Sequence, residues 1–166
     1  MKTIYLIGFM GAGKTTIGKE LGKQLAIPVL DIDEEIEKHE NKSINQIFAE
    51  QGESYFRECE TKLLQKLRDE HAVITTGGGI ITSEENRHLL KEGTVFFLFA
   101  TVEEIMKRLE YDESRPLLKG DKSAQIIDLY EKRMIFYQNT ADYIIETTGK
   151  MVGEIAKEII GCLKQK

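Results

Sequence analysis

Residues 8–15 read G-F-M-G-A-G-K-T, the full pattern of a phosphate-binding loop. Its glycines leave the backbone N–H groups free to close around phosphate oxygens, because no side chain stands in the way. Lys14 adds a positive charge that can reach the β- and γ-phosphates, and the hydroxyl of Thr15 can bind Mg²⁺. An apolar run at 3–7 precedes the loop and helix-forming residues follow it, which is the strand–loop–helix context that the motif requires. The pattern therefore predicts a site for a nucleoside triphosphate and Mg²⁺.

Two carboxylates, Asp31 and Asp33, stand at the end of the second apolar run. In an extended chain, positions i and i+2 point to the same side, which would bring both carboxylates near the γ-phosphate. One of them would act on Mg²⁺ through water, and the other would bind or deprotonate the hydroxyl of an acceptor. The alternative is that Asp33 only caps a helix that starts at Glu34, because aspartate is a favoured N-cap residue.

Three glycines at 77–79 follow the third apolar run and offer bare backbone to a ligand that approaches closely. Taken alone, such a triplet is more often a turn before the next helix. The triplet is a candidate for ligand binding because it follows a predicted strand, as the phosphate-binding loop and the two aspartates do.

Arg57 and Glu60 are three residues apart, so on a helix they share one face. They could form an ordinary ion pair in solvent, which is common and weak. The aromatic residues Phe48 and Phe56 favour a different interpretation, a small pocket with apolar walls and a guanidinium group. Such a pocket is suited to a compact carboxylate.

The elements that must position these residues follow from the pattern of apolar runs. The runs are apolar throughout, which is typical of a parallel sheet covered on both faces, and they alternate with helical segments. The sequence therefore predicts an α/β fold with a doubly wound parallel sheet, in which ligands bind beyond the carboxyl ends of the strands. The predicted strands are 3–7, 28–32, 72–76, 94–99 and 142–146, and the predicted helices are 14–25, 34–40, 44–50, 53–69, 84–91, 103–110, 123–139 and 151–164.

Two stretches depart from this alternation. Residues 34–70 hold two or three consecutive helices where one crossover helix would suffice, which indicates an inserted helical region. Residues 111–122 are polar, contain Gly and Pro and lie between two predicted helices, which is typical of a mobile flap.

Composition limits the class of protein. A chain of 166 residues with 41% apolar and 31% charged residues is expected to form one globular domain. The net charge of −5 argues against nucleic acid as a partner, because binding to a phosphate backbone generally needs a basic face. No segment approaches the roughly 20 apolar residues that span a bilayer, so no membrane partner is expected. The two cysteines show no CxxC spacing, and the cytoplasm is the expected compartment.

Over essentially its whole length, the chain resembles the shikimate kinase family. The stretches that carry the resemblance are G-F-M-G-A-G-K-T-T-I-G at 8–18, D-I-D at 31–33, I-F-A-E-Q-G-E-S-Y-F-R-E-C-E at 47–60, T-T-G-G-G at 75–79, R-P-L-L at 115–118 and R-M-I-F-Y at 133–137. The first of these is generic to many phosphate-binding proteins. The second to fourth, in this order and spacing, are highly specific together.

The resemblance implies the fold of the nucleoside monophosphate kinases, with a five-stranded parallel sheet, a helical substrate-binding region at about 33–62 and a lid at about 111–122. It implies transfer of the γ-phosphoryl group of ATP to the 3-hydroxyl of shikimate, with Mg²⁺, in a late step of the route to chorismate and the aromatic amino acids. A monomer is expected.

On the substrate side, the resemblance makes Asp33 the candidate general base and places it on the shikimate hydroxyls. It implies that Arg57 and Arg133 clamp the shikimate carboxylate and that Glu60 orients Arg57. The remaining substrate-binding residues that it implies are Phe48 and Phe56 as walls, and Gly77, Gly78 and Gly79 as backbone contacts.

On the nucleotide side, the resemblance implies Thr15 as a direct Mg²⁺ ligand and Asp31 as a ligand through water. Arg115 in the lid would move onto the transferring phosphate, although by itself it is a solvated loop arginine. Lys14, Asp33 and Arg115 are therefore the catalytic candidates. The predicted ATP-binding residues are Gly11, Ala12, Gly13, Lys14, Thr15, Thr16, Arg108, Arg115 and Lys150.

One open assignment and two departures from common patterns affect the nucleotide side. Arg108 fits the position that stacks on adenine, but an ordinary surface arginine is an equal alternative. Lys150 is the only charge left in the stretch 147–152, where the family is usually more basic and carries a proline, so the contacts to the base stay open. Thr75 and Thr76 stand where many phosphate-loop enzymes carry an aspartate near Mg²⁺, an absence that the family shares.

Two other classes of function compete with this interpretation. A gluconate kinase or nucleoside monophosphate kinase would explain the phosphate-binding loop and the lid, but not the segment 52–60 together with the glycine triplet. A nucleotide-dependent switch protein would not need a second aspartate, an apolar pocket and Arg133.

Overall fold

The structure is a computed structural model that describes residues 1–110 and 122–165. Five strands form one sheet in the order β2-β3-β1-β4-β5, and every neighbouring pair is parallel. The strands are β1 (Ile4–Ile7), β2 (Val29–Asp31), β3 (Val73–Thr75), β4 (Thr94–Phe99) and β5 (Tyr143–Glu146). Each lies within a predicted run, so the α/β prediction with a five-stranded parallel sheet is confirmed.

Seven α-helices connect and cover the strands in the described part of the chain. They are α1 (Lys14–Leu25), α2 (Ile32–Glu40), α3 (Ile44–Leu67), α4 (Glu84–Leu90), α5 (Val102–Glu110), α6 (Lys122–Thr140) and α7 (Val152–Lys164). Their ends agree with the predicted ends to within about two residues. The sequence interpretation missed a short 3₁₀ helix, Ile80–Thr82, directly after the glycine triplet.

The sheet is covered on both faces, as its apolar runs predict. Every residue of β1 and β3 is buried, and so is nearly all of β4. Helix α1 packs against α7 and on β3, whereas α6 packs on β4 and against the 3₁₀ helix. Within residues 1–110 and 122–165, no helix combines the length and the apolar character needed to cross a membrane.

Helix α3 is interrupted at Gly52, whose φ of 84° and ψ of 170° are not helical. An L-residue with a side chain is strained in this conformation, and glycine is not. The sequence interpretation placed two helices here, at 44–50 and 53–69, and the structure gives two helical halves that meet at this break. The first half begins with a capping box, in which Ser43 and Gln46 bond to each other's backbone N–H.

The start of α2 corrects one expectation. Asp31 is the N-cap of this helix and accepts a hydrogen bond from the N–H of Glu34 at 3.0 Å, so the alternative that Asp33 is the cap is wrong. The extended spacing assumed for the two carboxylates is also wrong, because the strand ends at Asp31 and Asp33 already lies in the first helical turn.

The fold brings three loops to the carboxyl edge of the sheet. The phosphate-binding loop follows β1, Asp31 ends β2, and the glycine triplet follows β3. This edge is where open α/β sheets bind ligands. The predicted lid and its Arg115 lie outside the described residues, except that Lys122 begins α6.

Candidate active site

The phosphate-binding loop forms a closed cradle at the N-terminus of α1. Gly13 precedes the helix with a φ of 91°, a left-handed conformation that lets the chain turn sharply into α1. The ammonium group of Lys14 donates to the carbonyl oxygens of Gly8 and Phe9, at 2.6 and 2.9 Å. Both Thr15 and its neighbour Thr16 are exposed. The cradle combines a helix N-terminus with a lysine, which is a site for an anion.

Two adjoining cavities extend from this cradle. The first, about 290 Å³, is lined by Gly11, Gly13, Lys14, Thr15, Thr16, Arg108 and Leu109. The second, about 260 Å³, is lined by Gly11, Ala12, Gly13, Thr16, Ile17, Arg108, Thr147, Lys150, Val152 and Ile155. Between them, they bring together all the predicted ATP-binding residues except Arg115.

Arg108 spans the second cavity. Its guanidinium group donates to the carbonyl of Gly11 at 3.3 Å and to the hydroxyl of Thr147 at 3.2 Å, and its Nε donates to Glu104 at 3.1 Å. It therefore links α5, the phosphate-binding loop and the loop after β5, and its stacking on adenine stays a prediction. Lys150, on the rim, pairs with Glu158 at 2.8 Å.

Asp31 is held rigidly at the carboxyl edge of the sheet. Besides the N–H of Glu34, it accepts a hydrogen bond from the hydroxyl of Thr75 at 2.6 Å. Thr75 is its register partner on the neighbouring strand. Thr75, which stands where many phosphate-loop enzymes carry an aspartate, thus fixes the orientation of the Asp31 carboxylate.

Asp33 lies two residues after Asp31, in the first turn of α2 and against the glycine triplet. A Cβ atom on Gly77 would be 3.0 Å from Asp33 Oδ1, so the carboxylate contacts the bare backbone there. Burial raises the pKa of Asp33 to about 6, the charge of Asp31 adds to the rise, and that of Lys14 opposes it. Asp33 is therefore a more basic carboxylate than usual.

Arg57 and Glu60 form a buried pair on α3. Arg57 Nη1 lies 2.7 Å from Glu60 Oε1, and Arg57 Nη2 lies 3.2 Å from Glu53 Oε1. The side chain of Glu60 is 0% exposed, so the alternative of a solvent ion pair is wrong. Burial raises the pKa of Glu60 to about 7, against the effect of Arg57.

Phe48 and Phe56 meet across the break in α3. Their ring centroids are 5.0 Å apart with planes inclined by 41°, and the guanidinium carbon of Arg57 lies 5.3 Å from the centre of the Phe56 ring. Phe56 is buried, whereas Phe48 is 37% exposed. The two rings form an apolar wall beside the arginine, as predicted.

The glycine triplet joins both arginines. A side chain on Gly79 would collide with the guanidinium group of Arg57, and a Cβ atom on Gly78 would be 3.3 Å from Arg133 Nη1. The two guanidinium groups therefore contact adjacent residues of one loop. Asp33, Arg57 and Arg133, the predicted polar side chains on the substrate side, therefore all lie against this triplet. Glu60, the fourth, is bonded to Arg57.

Three buried polar atoms of this cluster have no hydrogen-bond partner in the described part of the chain. They are Asp33 Oδ1, Glu60 Oε2 and Arg133 Nε. Buried polar atoms are nearly always paired in folded proteins, so unpaired acceptors and a donor that converge on one place indicate a polar ligand. We call the set of Asp33, Arg57, Glu60, Arg133 and the glycine triplet the acceptor cluster.

The sequence analysis did not identify the residues that position the candidate site residues. Thr75 orients Asp31, Thr147 orients Arg108, Glu53 contacts Arg57, and Tyr137 donates to the carbonyl of Gly78. Only the register of β2 against β3 could have indicated Thr75. The other contacts, except that of Glu53, join residues from separate elements.

A phosphate-binding loop at the edge of a parallel sheet, with a second polar cluster beside it, defines a P-loop kinase that acts on a small molecule. A protein-family model described as shikimate kinase matches residues 10–164. The shikimate kinase of Bacillus mycoides (strain KBAB4) is 46% identical over 167 residues, which cover 100% of this chain and 98% of that protein. The chain belongs to the shikimate kinase family, whose members phosphorylate shikimate with ATP.

Solved structures agree with this assignment. The shikimate kinase from Acinetobacter baumannii in complex with shikimate superposes with a TM-score of 0.91 at 39% identity, covering 99% of this chain and 94% of that one. A gluconokinase from Sinorhizobium meliloti 1021 has a TM-score of 0.61 at 14% identity, covering 98% and 91%, and shares the fold alone. The alternatives of a gluconate kinase, a nucleoside monophosphate kinase or a switch protein are therefore not supported.

Proposed function

We propose that this chain transfers the γ-phosphoryl group of ATP to the 3-hydroxyl of shikimate, using the acceptor cluster to hold shikimate and the phosphate-binding loop to hold ATP. The observation that supports this most directly is the convergence of unpaired Asp33 Oδ1, Glu60 Oε2 and Arg133 Nε beside the glycine triplet. A compact ring that carries hydroxyls and a carboxylate supplies both donors and an acceptor to such a set.

In this proposal Arg57 and Arg133 clamp the carboxylate of shikimate. Both guanidinium groups contact the glycine loop, so one anion can bridge them, and charge-assisted hydrogen bonds of this kind fix orientation as well as affinity. Glu60 holds Arg57 in place, and Phe48 and Phe56 exclude water from one side of the ring.

Asp33 would accept the proton of the 3-hydroxyl as it attacks the γ-phosphoryl group. With a pKa raised to about 6 by burial, it is ionised at neutral pH and yet basic enough to take a proton. Lys14 would bind and neutralise the charge that spreads over the transferring phosphoryl oxygens. The contribution of Arg115 to the same charge stays a prediction.

Mg²⁺ fits the residues present at the nucleotide end. Among the described residues, no group of three or more His, Cys, Asp or Glu side chains could hold a metal on its own. Mg²⁺ normally needs few protein ligands, because water and phosphate oxygens complete its shell. Thr15 would bind it directly and Asp31 through water, and the ion would neutralise charge on the β- and γ-phosphates.

Arg108 and Lys150 would bind the nucleoside part of ATP in the second cavity, with Gly11, Ala12, Gly13 and Thr16 along the phosphates. The proposal also takes the chain as a single-domain monomer in the cytoplasm, which rests on composition and on the resemblance to the family. Size-exclusion chromatography with light scattering would test the monomer.

A coupled assay of ADP release, with shikimate, quinate, gluconate and AMP offered separately, tests the proposed function. We expect turnover with shikimate that depends on Mg²⁺. Turnover only with gluconate or AMP, or with none of the four acceptors, would overturn the proposal.

A further inference from the structure

Tyr137 contacts the acceptor cluster at Gly78, although the proposed function assigns it no role. It stands on α6 one turn after Arg133, and it is 0% exposed. Its ring stacks on Phe97 of β4, with centroids 5.1 Å apart and planes inclined by 21°. Its hydroxyl donates a hydrogen bond to the carbonyl oxygen of Gly78. The sheet thus holds the ring, and the hydroxyl reaches the glycine triplet.

Three groups, one of them the Tyr137 hydroxyl, lie close to Gly78. A Cβ atom on Gly78 would lie 3.6 Å from the Tyr137 hydroxyl, 3.3 Å from Arg133 Nη1 and 3.5 Å from the backbone nitrogen of Met10. Burial raises the pKa of Tyr137 well above its ordinary value, although the charge of Arg133 opposes the rise. The hydroxyl therefore stays protonated and remains a donor over the whole working range of pH.

The geometry of the peptide bond gives this hydrogen bond a consequence. The carbonyl of Gly78 and the N–H of Gly79 belong to one planar trans peptide, so they point in opposite directions. A hydroxyl that fixes the carbonyl also fixes the direction of that N–H. No backbone hydrogen bond from the N–H of Gly77, Gly78 or Gly79 is made within the described part of the chain. Gly77 and Gly78 are partly exposed, whereas Gly79 is buried beneath the guanidinium group of Arg57, so the N–H of Gly79 can pair only with a ligand that enters the acceptor cluster.

We propose that Tyr137 is a positioning residue for the acceptor: its hydroxyl locks the peptide between Gly78 and Gly79 so that the N–H of Gly79 meets shikimate in one orientation. Neighbouring glycines need such a lock, since they have no side chains that would hold the peptide plane. The inference rests on the proposed function, because it requires that the glycine triplet contacts shikimate.

Tyr137→Phe removes the lock, together with the hydrogen bond between this hydroxyl and Arg133, and keeps the ring on Phe97. The Gly78 carbonyl then loses its partner and the peptide is free to rotate, which costs about as much as one buried hydrogen bond. We expect the KM for shikimate to rise roughly 3- to 30-fold. The KM for ATP should change less than about two-fold, because the change lies on the acceptor side.

Tyr130→Phe is the matched control. Tyr130 lies on the same helix, is also buried, and its hydroxyl donates to the carbonyl of Ala100 at 2.7 Å, away from the glycine triplet. Both variants thus delete one hydroxyl from a buried tyrosine that bonds a backbone carbonyl. We expect the control to keep the wild-type KM for shikimate while its melting temperature falls by a similar amount.

Steady-state kinetics with both substrates, shikimate titration calorimetry and thermal melts would be measured for the wild type and the two variants. A rise in the shikimate KM and Kd confined to Tyr137→Phe, with a displaced ¹⁵N amide resonance of Gly79 in the ligand-free variant, supports the inference; the same rise with an unmoved Gly79 resonance would assign the effect to the bond with Arg133 and overturn it. A wild-type shikimate KM in that variant, or equal increases for both substrates in both variants, would overturn it. In either of these cases the proposed function stands, since it is tested by turnover of the wild-type enzyme.

A measurement on the unaltered protein covers the case in which Tyr137→Phe does not fold. With ¹⁵N-glycine labelling, the amide resonance of Gly79 should move on addition of shikimate, whereas that of the exposed Gly149 should not. A Gly79 resonance that ignores saturating shikimate, in an enzyme that turns it over, would contradict the inference.

Discussion

Asp31 and Asp33 are separated by one residue but occupy opposite environments. Asp31 accepts hydrogen bonds from the N–H of Glu34 and from the hydroxyl of Thr75. Asp33 Oδ1 is buried without a partner in the described part of the chain, and burial with the nearby charge of Asp31 raises the Asp33 pKa to about 6. One carboxylate is satisfied and fixed, and the other is basic and open to a ligand. This difference supports the proposal that Asp31 acts on the metal through water and that Asp33 acts on the acceptor.

The basic carboxylate gives a first prediction. Asp33→Asn keeps the size of the side chain but cannot take a proton, so kcat should fall about 10²- to 10⁴-fold. In the wild type, kcat/KM for shikimate should rise with pH and level off above about 6, because the ionised form of Asp33 is the active one. Rates from pH 5 to 8 measure both effects. The exposed Asp128→Asn serves as the control, and an acidic limb that persists in Asp33→Asn would assign it to another group.

The same pKa predicts how stability depends on pH. Below pH 3.8, the ordinary pKa of an aspartate, the carboxyl is mostly protonated in both folded and unfolded chains, and Asp33→Asn should change the free energy of unfolding little. Above about pH 6 it is charged in both states, and the folded state alone bears the cost of burying the charge. The ligand-free Asp33→Asn variant should then be more stable than the wild type by on the order of 2 kcal/mol. Urea unfolding below pH 4 and at pH 8 measures this, and an equal difference at both values would contradict it.

Arg57 provides a third prediction. Arg57→Ala removes half of the carboxylate clamp and leaves the fully buried Glu60 without its partner. The affinity for shikimate should fall about 30- to 1,000-fold, the range for breaking a buried charge-assisted contact. The affinity for ADP should be kept. Calorimetric titrations with each ligand test this, and Arg68→Ala, at the exposed end of the same helix, should bind shikimate as the wild type does. Unchanged shikimate affinity in Arg57→Ala would remove this arginine from the clamp.

Thr147 should affect the nucleotide alone. Its hydroxyl accepts from Arg108 and donates to the carbonyl of Phe99, so Thr147→Val releases Arg108 from the loop after β5. We expect the KM for ATP to rise roughly 3- to 10-fold with an unchanged KM for shikimate. Thr140→Val is the control, because that buried hydroxyl has no partner in the described part of the chain and its loss should be harmless. Equal ATP KM values in both variants would contradict the prediction.

Lys14 gives the strongest expected loss. Lys14→Ala removes the charge that would neutralise the transferring phosphoryl group, and we expect turnover to fall below detection. Lys19→Ala, an exposed change on the same helix, should keep wild-type rates. The assay of ADP release with saturating shikimate measures both. Rates within about ten-fold of the wild type in Lys14→Ala would place the catalytic charge elsewhere.

Local signals in the sequence were enough for the elements. The five apolar runs correspond to β1 to β5. The gap between the predicted helices 44–50 and 53–69 contains the break at Gly52. Strands and helix ends of this kind depend on residues that are close together in the chain. Local reasoning failed at α2, where it expected an extended chain through Asp33 and kept a cap at Asp33 as the alternative, whereas Asp31 is the cap. The position of the cap depends on where the strand ends, and β2 ends at Asp31, one residue before the predicted end of the run 28–32.

The residues of the candidate site were found by type and spacing, but the residues that hold them were not. Tyr137 lies 59 positions from Gly78, and Thr147 lies 39 positions from Arg108. Neither pair has a periodic pattern or a motif that connects its members. Such contacts depend on how α6 and the loop after β5 pack on the sheet, which no local property of these residues determines.

The break at Gly52 is what allows the apolar wall to exist. In an unbroken α-helix, residues 48 and 56 would be about 12 Å apart along the axis, too far for their rings to touch. The observed ring separation is 5.0 Å. The non-helical backbone at Gly52 thus brings together two rings from the two halves of one long helix. An alanine at position 52 would strain the conformation that brings these rings together, so the apolar wall beside Arg57 depends on a residue that is not part of it.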